Sequence, residues 1–95
     1  MKYNLVMADY FTNGIGIIGA MLILVGFVLN ELHKLDQDSL AYDLINLVGS
    51  CLLTIYAWLL GSIPFFVLNM IWALLSLRDV YLDLKINKHN KFLNE

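Results

Sequence analysis

The amino-acid sequence predicts an all-α integral membrane protein with three transmembrane helices, and three observations lead there. First, 60 % of the 95 residues are hydrophobic and only 15 % are charged, against roughly 45–50 % and about 25 % in globular domains. A short chain has the largest surface relative to its volume, and this composition leaves too little polar material to cover it in water. Second, the charges are absent from two long runs, 10–30 and 44–77. Third, the longer run is interrupted by Gly61-Ser62-Ile63-Pro64. A net charge of −2 and a pI near 5.5 exclude a basic nucleic-acid module. The hydrophobicity excludes a disordered segment and a soluble enzyme.

The first span covers about residues 10–32. Its core, Tyr10 to Asn30, holds 21 uncharged residues between Asp9 and Glu31, which as a helix measures about 31 Å, the thickness of a hydrocarbon core. A cleaved signal peptide fits less well, because this run exceeds the roughly 7–15 residues of a signal h-region, only Lys2 precedes it, and no small-x-small site follows. Residues 33–41 form a hydrophilic loop. The 34 uncharged residues from Leu44 to Leu77 would measure about 51 Å as one helix, too long for a ~30 Å core, so the chain must turn back. Glycine stops the second span, about 42–60; serine can cap the third, about 64–84, and proline suits its first turn. Residues 85–95 read as a tail, and 1–95 as a single membrane domain. Helix is the conformation that satisfies its own backbone in lipid.

Five basic residues, Lys34, Arg78, Lys85, Lys88 and Lys91, share one side of this arrangement, and only Lys2 stands on the other. The positive-inside rule then puts the N-terminus outside and the C-terminus in the cytoplasm, the expected location being a bacterial inner membrane.

Gly14-Ile15-Gly16-Ile17-Ile18-Gly19 is a literal G-x-G-x-x-G, but it lies inside a membrane span and lacks the strand and βαβ unit of a dinucleotide site. Gly16, Gly19 and Gly26 read instead as a stripe of small residues that lets another helix backbone come close. On the second span Asn46, Ser50, Thr54 and Trp58 recur at four-residue steps, and on the third Asn69, Trp72, Ala73 and Ser76 do much the same. Such groups either bond neighbouring helices or line a cavity. Hydroxyls can bond back to the carbonyl four residues earlier, whereas the amide of Asn69 has more donors and acceptors than one carbonyl satisfies. Trp58 reads as an interface anchor. Arg78, Asp79 and Asp83 read as a solvated helix end, and His33 and His89 as surface residues. Cys51 has no intramolecular partner. No catalytic set, metal cluster or cofactor motif stands in the chain, so neither an enzyme nor a bound cofactor is expected.

The stretch from Leu47-Val48-Gly49 to Leu84, with Tyr56, Pro64, Asn69 and Tyr81-Leu82-x-Leu84-Lys85, resembles the second and third helices of the bacterial semi-SWEET sugar transporters of the PQ-loop superfamily. That family opens its third helix with a proline and carries an asparagine five residues later, as Pro64 and Asn69 do. The resemblance implies a three-helix protomer, N-terminus outside, that dimerises around a sugar path, with Asn69 touching substrate. The chain departs from the family's pattern in having Leu29-Asn30 at the place of the Pro-Gln pair, and Leu53 or Thr54 at the place of its substrate-facing tryptophan. The whole chain also resembles a group of short, uncharacterised bacterial membrane proteins.

The expectation is therefore a half-transporter that passes a small neutral, sugar-like solute by alternating access as a homodimer in the bilayer. Asn69, Trp72, Asn46 and Thr54 are the candidate solute contacts, and Gly16, Gly19 and Gly26 the packing positions. The alternative is a non-catalytic small membrane protein that binds or regulates a larger complex, motivated by the lack of an ionisable residue inside the spans other than tyrosines and Cys51.

Overall fold

The computed structural model describes the backbone over residues 2–93 and the side chains over 8–86. It is all-α: α1 (Lys2–Glu31), α2 (Leu40–Leu60) and α3 (Ile63–Leu93). Each helix contains a stretch long and apolar enough to cross a membrane, namely Ala8–Glu31, Leu40–Leu60 and Ile63–Ile86. Two helices run beyond their apolar stretches. No glycine or proline follows Pro64, so nothing local stops α3, and the segment read as a tail from residue 85 is helical as far as Leu93. The side chains of Lys2, Lys88, His89 and Lys91 lie outside the described residues.

Local chemistry sets the two turns. At the end of α1, His33 takes a left-handed backbone with φ 59. The N–H groups of Lys34 and Leu35 both reach the Leu29 carbonyl, at 2.9 and 3.1 Å. The Asn30 side-chain amide donates to the Leu35 carbonyl at 3.0 Å, clipping the turn to the helix it leaves. Ser39, in extended backbone, caps α2 by accepting the Tyr42 N–H at 3.2 Å, and its hydroxyl donates to the Asp36 carbonyl at 2.6 Å. Asp43 in the first turn of α2 complements the helix dipole.

Between α2 and α3 the reversal takes two residues. Gly61 is left-handed at φ 75, its N–H donates to the Trp58 carbonyl at 3.1 Å, and the Ser62 N–H donates to the Ala57 carbonyl at 3.0 Å. This is the paired bonding of a Schellman stop. The Ser62 carbonyl then accepts the Phe66 N–H at 2.9 Å, and Pro64 sits in a first turn that needs no N–H from it. A Cβ at residue 61 would meet no neighbour within 4 Å, so the cost of adding one is the backbone conformation alone. Gly61→Ala is expected to lower stability by roughly 1–2 kcal/mol, and Gly61→Asn by less, since asparagine tolerates this region. Thermal unfolding in mild detergent measures both, and an alanine variant as stable as the parent would refute the account.

α2 is the central helix. It packs against α1 on one side and α3 on the other, while α1 and α3 make no close backbone approach to each other among the described residues. The interior is built from small and polar side chains: Ala57, Ala73 and Val80 with Asp43, Asn46, Ser50, Thr54, Asn69 and Ser76. Large apolar side chains such as Ile17, Leu24, Ile55, Leu68 and Leu74 face outward. That inversion suits a lipid solvent, which gives leucine no reason to hide and polar groups every reason to.

A cleft over the central helix

The α2 sequence divides into two faces. Gly16 of α1 lies against Tyr56, Gly19 against Gly49, Leu52 and Leu53, and Gly26 against Ile45, so Ile45, Gly49, Leu52 and Tyr56 form the α1-facing row. The buried Asp43, Ser50, Thr54 and Ala57 form the row that faces α3. At about 100° per residue the centres of these rows are roughly 140° apart around the helix. α1 and α3 therefore sit on α2 like the two sides of a V.

Tyr42, Asn46 and Leu53 occupy the arc of α2 between the rows, at the floor of the V. They line a cleft of about 370 Å³ whose walls are Ala20, Ile23, Leu24 and Phe27 of α1 and Trp72 of α3. Towards the Gly61 turn the groove continues as a space of about 410 Å³ lined by Asn13, Gly16, Ile17, Ala20, Leu53, Tyr56 and Phe65. The Tyr56 and Phe65 rings meet edge to face at 6.4 Å. The walls are apolar and aromatic, with a few hydrogen-bonding groups among them, the usual make-up of a small-molecule site.

The structure brings two of the candidate solute contacts into this cleft, Asn46 and Trp72. The Asn46 amide donates to the Tyr42 carbonyl of its own helix at 3.1 Å. Thr54 and Asn69 are placed elsewhere. Thr54 is 8 % exposed and Asn69 7 %, and both lie in the α2–α3 seam. The Thr54 hydroxyl donates to the Ser50 carbonyl at 2.7 Å and the Asn69 amide to the Phe65 carbonyl at 2.9 Å. These bonds run within one helix, from residue i to i−4, so the polar groups of the seam act by being small and self-satisfied. Trp58 is 69 % exposed and tilts against Phe66 at 5.4 Å, outside the cleft.

A second cleft opens at the loop end of the α2–α3 pair. It has a volume of about 810 Å³ and is lined by polar groups of the turn and first turn of α2, Gln37, Asp38, Ser39 and Asp43, and by Asp79 and Asp83 of α3. Two expectations are corrected here. Asp83 does not stand at a helix end, since α3 continues to Leu93; it is half-buried, and its Oδ2 is shielded from solvent with no hydrogen-bond partner among the described residues. Asp43 is an ionisable residue inside an apolar helix stretch and only 8 % exposed. The sequence does carry a signal for it, since Asp43 precedes Asn46 by three residues and Ser50 by seven, at helical spacing on the same side. Arg78 and Asp79 do form an exposed pair at 3.3 Å, which contributes little to stability. Among the described residues no group of three or more His, Cys, Asp or Glu is placed to hold a metal ion.

A family model matches residues 12–82, more than half of the chain. The chain belongs to that family, which is uncharacterised. The match begins at Thr12 in α1 and ends at Leu82 in α3, so the family segment contains the V, both walls of the cleft and the turn at Gly61. No curated protein and no solved structure matches the chain.

Proposed function

We propose that the protein is half of a symmetric membrane transporter, two copies of which enclose a path for a small neutral, sugar-like solute by alternating access. One observation carries the reading: the cleft over α2 is open because α1 and α3 do not meet, and an asparagine and a tryptophan stand in it together. Three helices leave such a cleft exposed to lipid, where a polar floor is unfavourable. A second copy related by a two-fold axis would cover it and double its polar groups, as repeat-built transporters do around a midplane site. The semi-SWEET resemblance of residues 47–84 supports the same arrangement. In this reading Asn46 hydrogen-bonds solute hydroxyls, Trp72 stacks on the ring, and Asn69 and Thr54 hold the helix pair that carries them. The basic residues put the C-terminus in the cytoplasm of a bacterial cell.

The test is uptake of labelled sugars into liposomes that contain the purified protein. Trp72→Ala is expected to lower uptake at least tenfold, and Asn46→Ala by roughly tenfold, which corresponds to about 1.4 kcal/mol of hydrogen bonding to the solute. Failure of the parent protein to move any sugar or comparable neutral solute would refute the proposal. Stoichiometric co-purification of one unrelated membrane protein would replace it with the partner-binding role.

A further inference from the structure

We propose that the turn-side space lined by Asn13, Tyr56 and Phe65 is a second station for the solute, taking the same class of neutral, hydroxyl-bearing ring as the Asn46–Trp72 cleft. The class of ligand rests on the transport reading above; the site itself is an addition to it. Four asparagines have described side chains, at 13, 30, 46 and 69. Three of them satisfy their amides within the chain, Asn30 on the Leu35 carbonyl, Asn46 on that of Tyr42 and Asn69 on that of Phe65. Asn13 does not. It is exposed on α1 and lines the groove. Although the Asp9 carbonyl stands four residues back, the Asn13 side chain has no hydrogen-bond partner among the described residues, and neither has the Tyr56 hydroxyl, which lines the same space.

Asn13 stands four residues past Asp9 and Tyr56 five residues before Gly61, depths of about 6 Å and about 7.5 Å along their helices. In hydrocarbon an unpaired amide or phenol is costly. Two of them around one space of about 410 Å³ point to a polar occupant. Tyr56 does not serve as an interface anchor. A Cβ on Gly16 would stand 2.7–2.8 Å from three of its ring carbons, and Phe65 meets the ring edge to face at 6.4 Å. The ring is therefore held inside the V, whereas Trp58, two residues on, is 69 % exposed and serves the surface.

The lining sets the class of ligand. An amide and a phenol each donate and accept, two aromatic rings offer faces to a sugar ring, and the remaining residues are small or aliphatic. No charged residue lines the space, so a charged solute would lie there without a counter-ion and away from water. The chemistry repeats that of the other cleft, where an asparagine also stands with an aromatic ring. Ala20 and Leu53 line both spaces, so the two stations are neighbours in one groove. Tyr56 and Asn46 are ten residues apart on α2, about 15 Å, on either side of the middle of that helix. A solute passing from one station to the other crosses Leu53.

Thiol protection in native membranes tests the second station. On a Cys51→Ala background, which removes the exposed cysteine, Ile17→Cys puts a thiol on the lining of the space at a position 63 % exposed, where a smaller side chain costs little packing. A charged methanethiosulfonate, which reacts where water reaches the thiol, is expected to modify it. Glucose, galactose or xylose should slow the modification in a saturable way, and glucuronate should not. The half-protecting sugar concentration should rise roughly tenfold in Asn13→Leu and in Tyr56→Phe, the loss of one hydrogen bond each. Trp72→Ala should leave that concentration within about twofold while uptake falls, because Trp72 does not line this space. No modification at position 17, modification indifferent to all three sugars, equal protection by glucuronate, or an unchanged half-protecting concentration in both Asn13→Leu and Tyr56→Phe would each overturn the proposal. Its failure is separable from that of the transporter: uptake without protection removes this station alone, and protection in a protein that moves no sugar keeps the station and removes the transport.

Discussion

Gly49→Leu is expected to detach α1 from α2, with loss of the folded three-helix unit but not of helix content. The reason is the closeness of the two backbones at one point. A Cβ added at Gly49 would stand 2.7 Å from Cγ1 of Ile23 and 3.1 Å from the Gly19 carbonyl oxygen, and one added at Gly19 would stand 3.0 Å from the Gly49 carbonyl oxygen. A backbone oxygen has no rotamer by which to move away, so even one extra carbon pushes the helices apart. Overpacking of this kind typically costs about 1–3 kcal/mol. The close crossing it disrupts is what holds membrane helices together when lipid is as apolar as they are. Gly19→Ala and Gly49→Ala should fall in that range and Gly49→Leu beyond it. Gly14→Ala is the internal control, because a Cβ there meets nothing within 4 Å; its effect should be neutral or stabilising by up to about 1 kcal/mol. Unfolding midpoints in mild detergent and circular dichroism read the series. Equal midpoints for Gly49→Leu and the parent protein would show that the α1–α2 crossing lies elsewhere.

The helices are legible in the sequence because their signals are local: uncharged runs of the right length, a glycine stop and a proline in the first turn. What the sequence does not disclose is which helix each row faces. Gly16, Gly19 and Gly26 announce a close approach, but the backbone that meets Gly19 is that of Gly49 on α2, and a stripe carries no information about its partner. The four-residue ladder Asn46, Ser50, Thr54 and Trp58 reads as one face, yet each step of four drifts by about 40° around the helix. Over the ladder that drift carries Asn46 to the cleft floor, Ser50 and Thr54 into the seam with α3, and Trp58 to the outside. Asn69 shows the same limit. Its surplus of donors points to a cavity, but an asparagine on a helix can turn its amide to the carbonyl four residues back, as it does to Phe65, and be buried at little cost. Asp43 shares a helical spacing with Asn46 and Ser50 in the sequence, but only the antiparallel pairing with α3 brings it to one cleft with Asp79 and Asp83.

Ser50→Leu should open the opposite side of the V and abolish solute uptake while the helices persist. Ser50 is fully buried, at 0 % exposure, and its hydroxyl donates to the Asn46 carbonyl at 2.6 Å and to that of Leu47 at 3.1 Å. Those bonds stay within α2, so the hydroxyl does not join the helices; its size does. Ser50→Ala keeps the size and removes only a self-satisfied bond, and should change stability by less than about 1 kcal/mol. Leucine at the same place adds side-chain volume to a seam lined by Ala73 and Ser76, small residues that cannot shrink further, and the cost is again about 1–3 kcal/mol or more. The helices can relieve it only by separating. Separation carries Trp72 away from Asn46, because Trp72 rides on α3 and Asn46 on α2, so the cleft loses its geometry before the protein loses its fold. Uptake by reconstituted protein and the unfolding midpoint, measured on both variants, distinguish the effects: alanine near the parent protein in each, leucine lower in both. If Ser50→Leu transports as well as Ser50→Ala, the α2–α3 seam does not set the width of the cleft, and the assignment of Asn46 and Trp72 to one solute site fails with it.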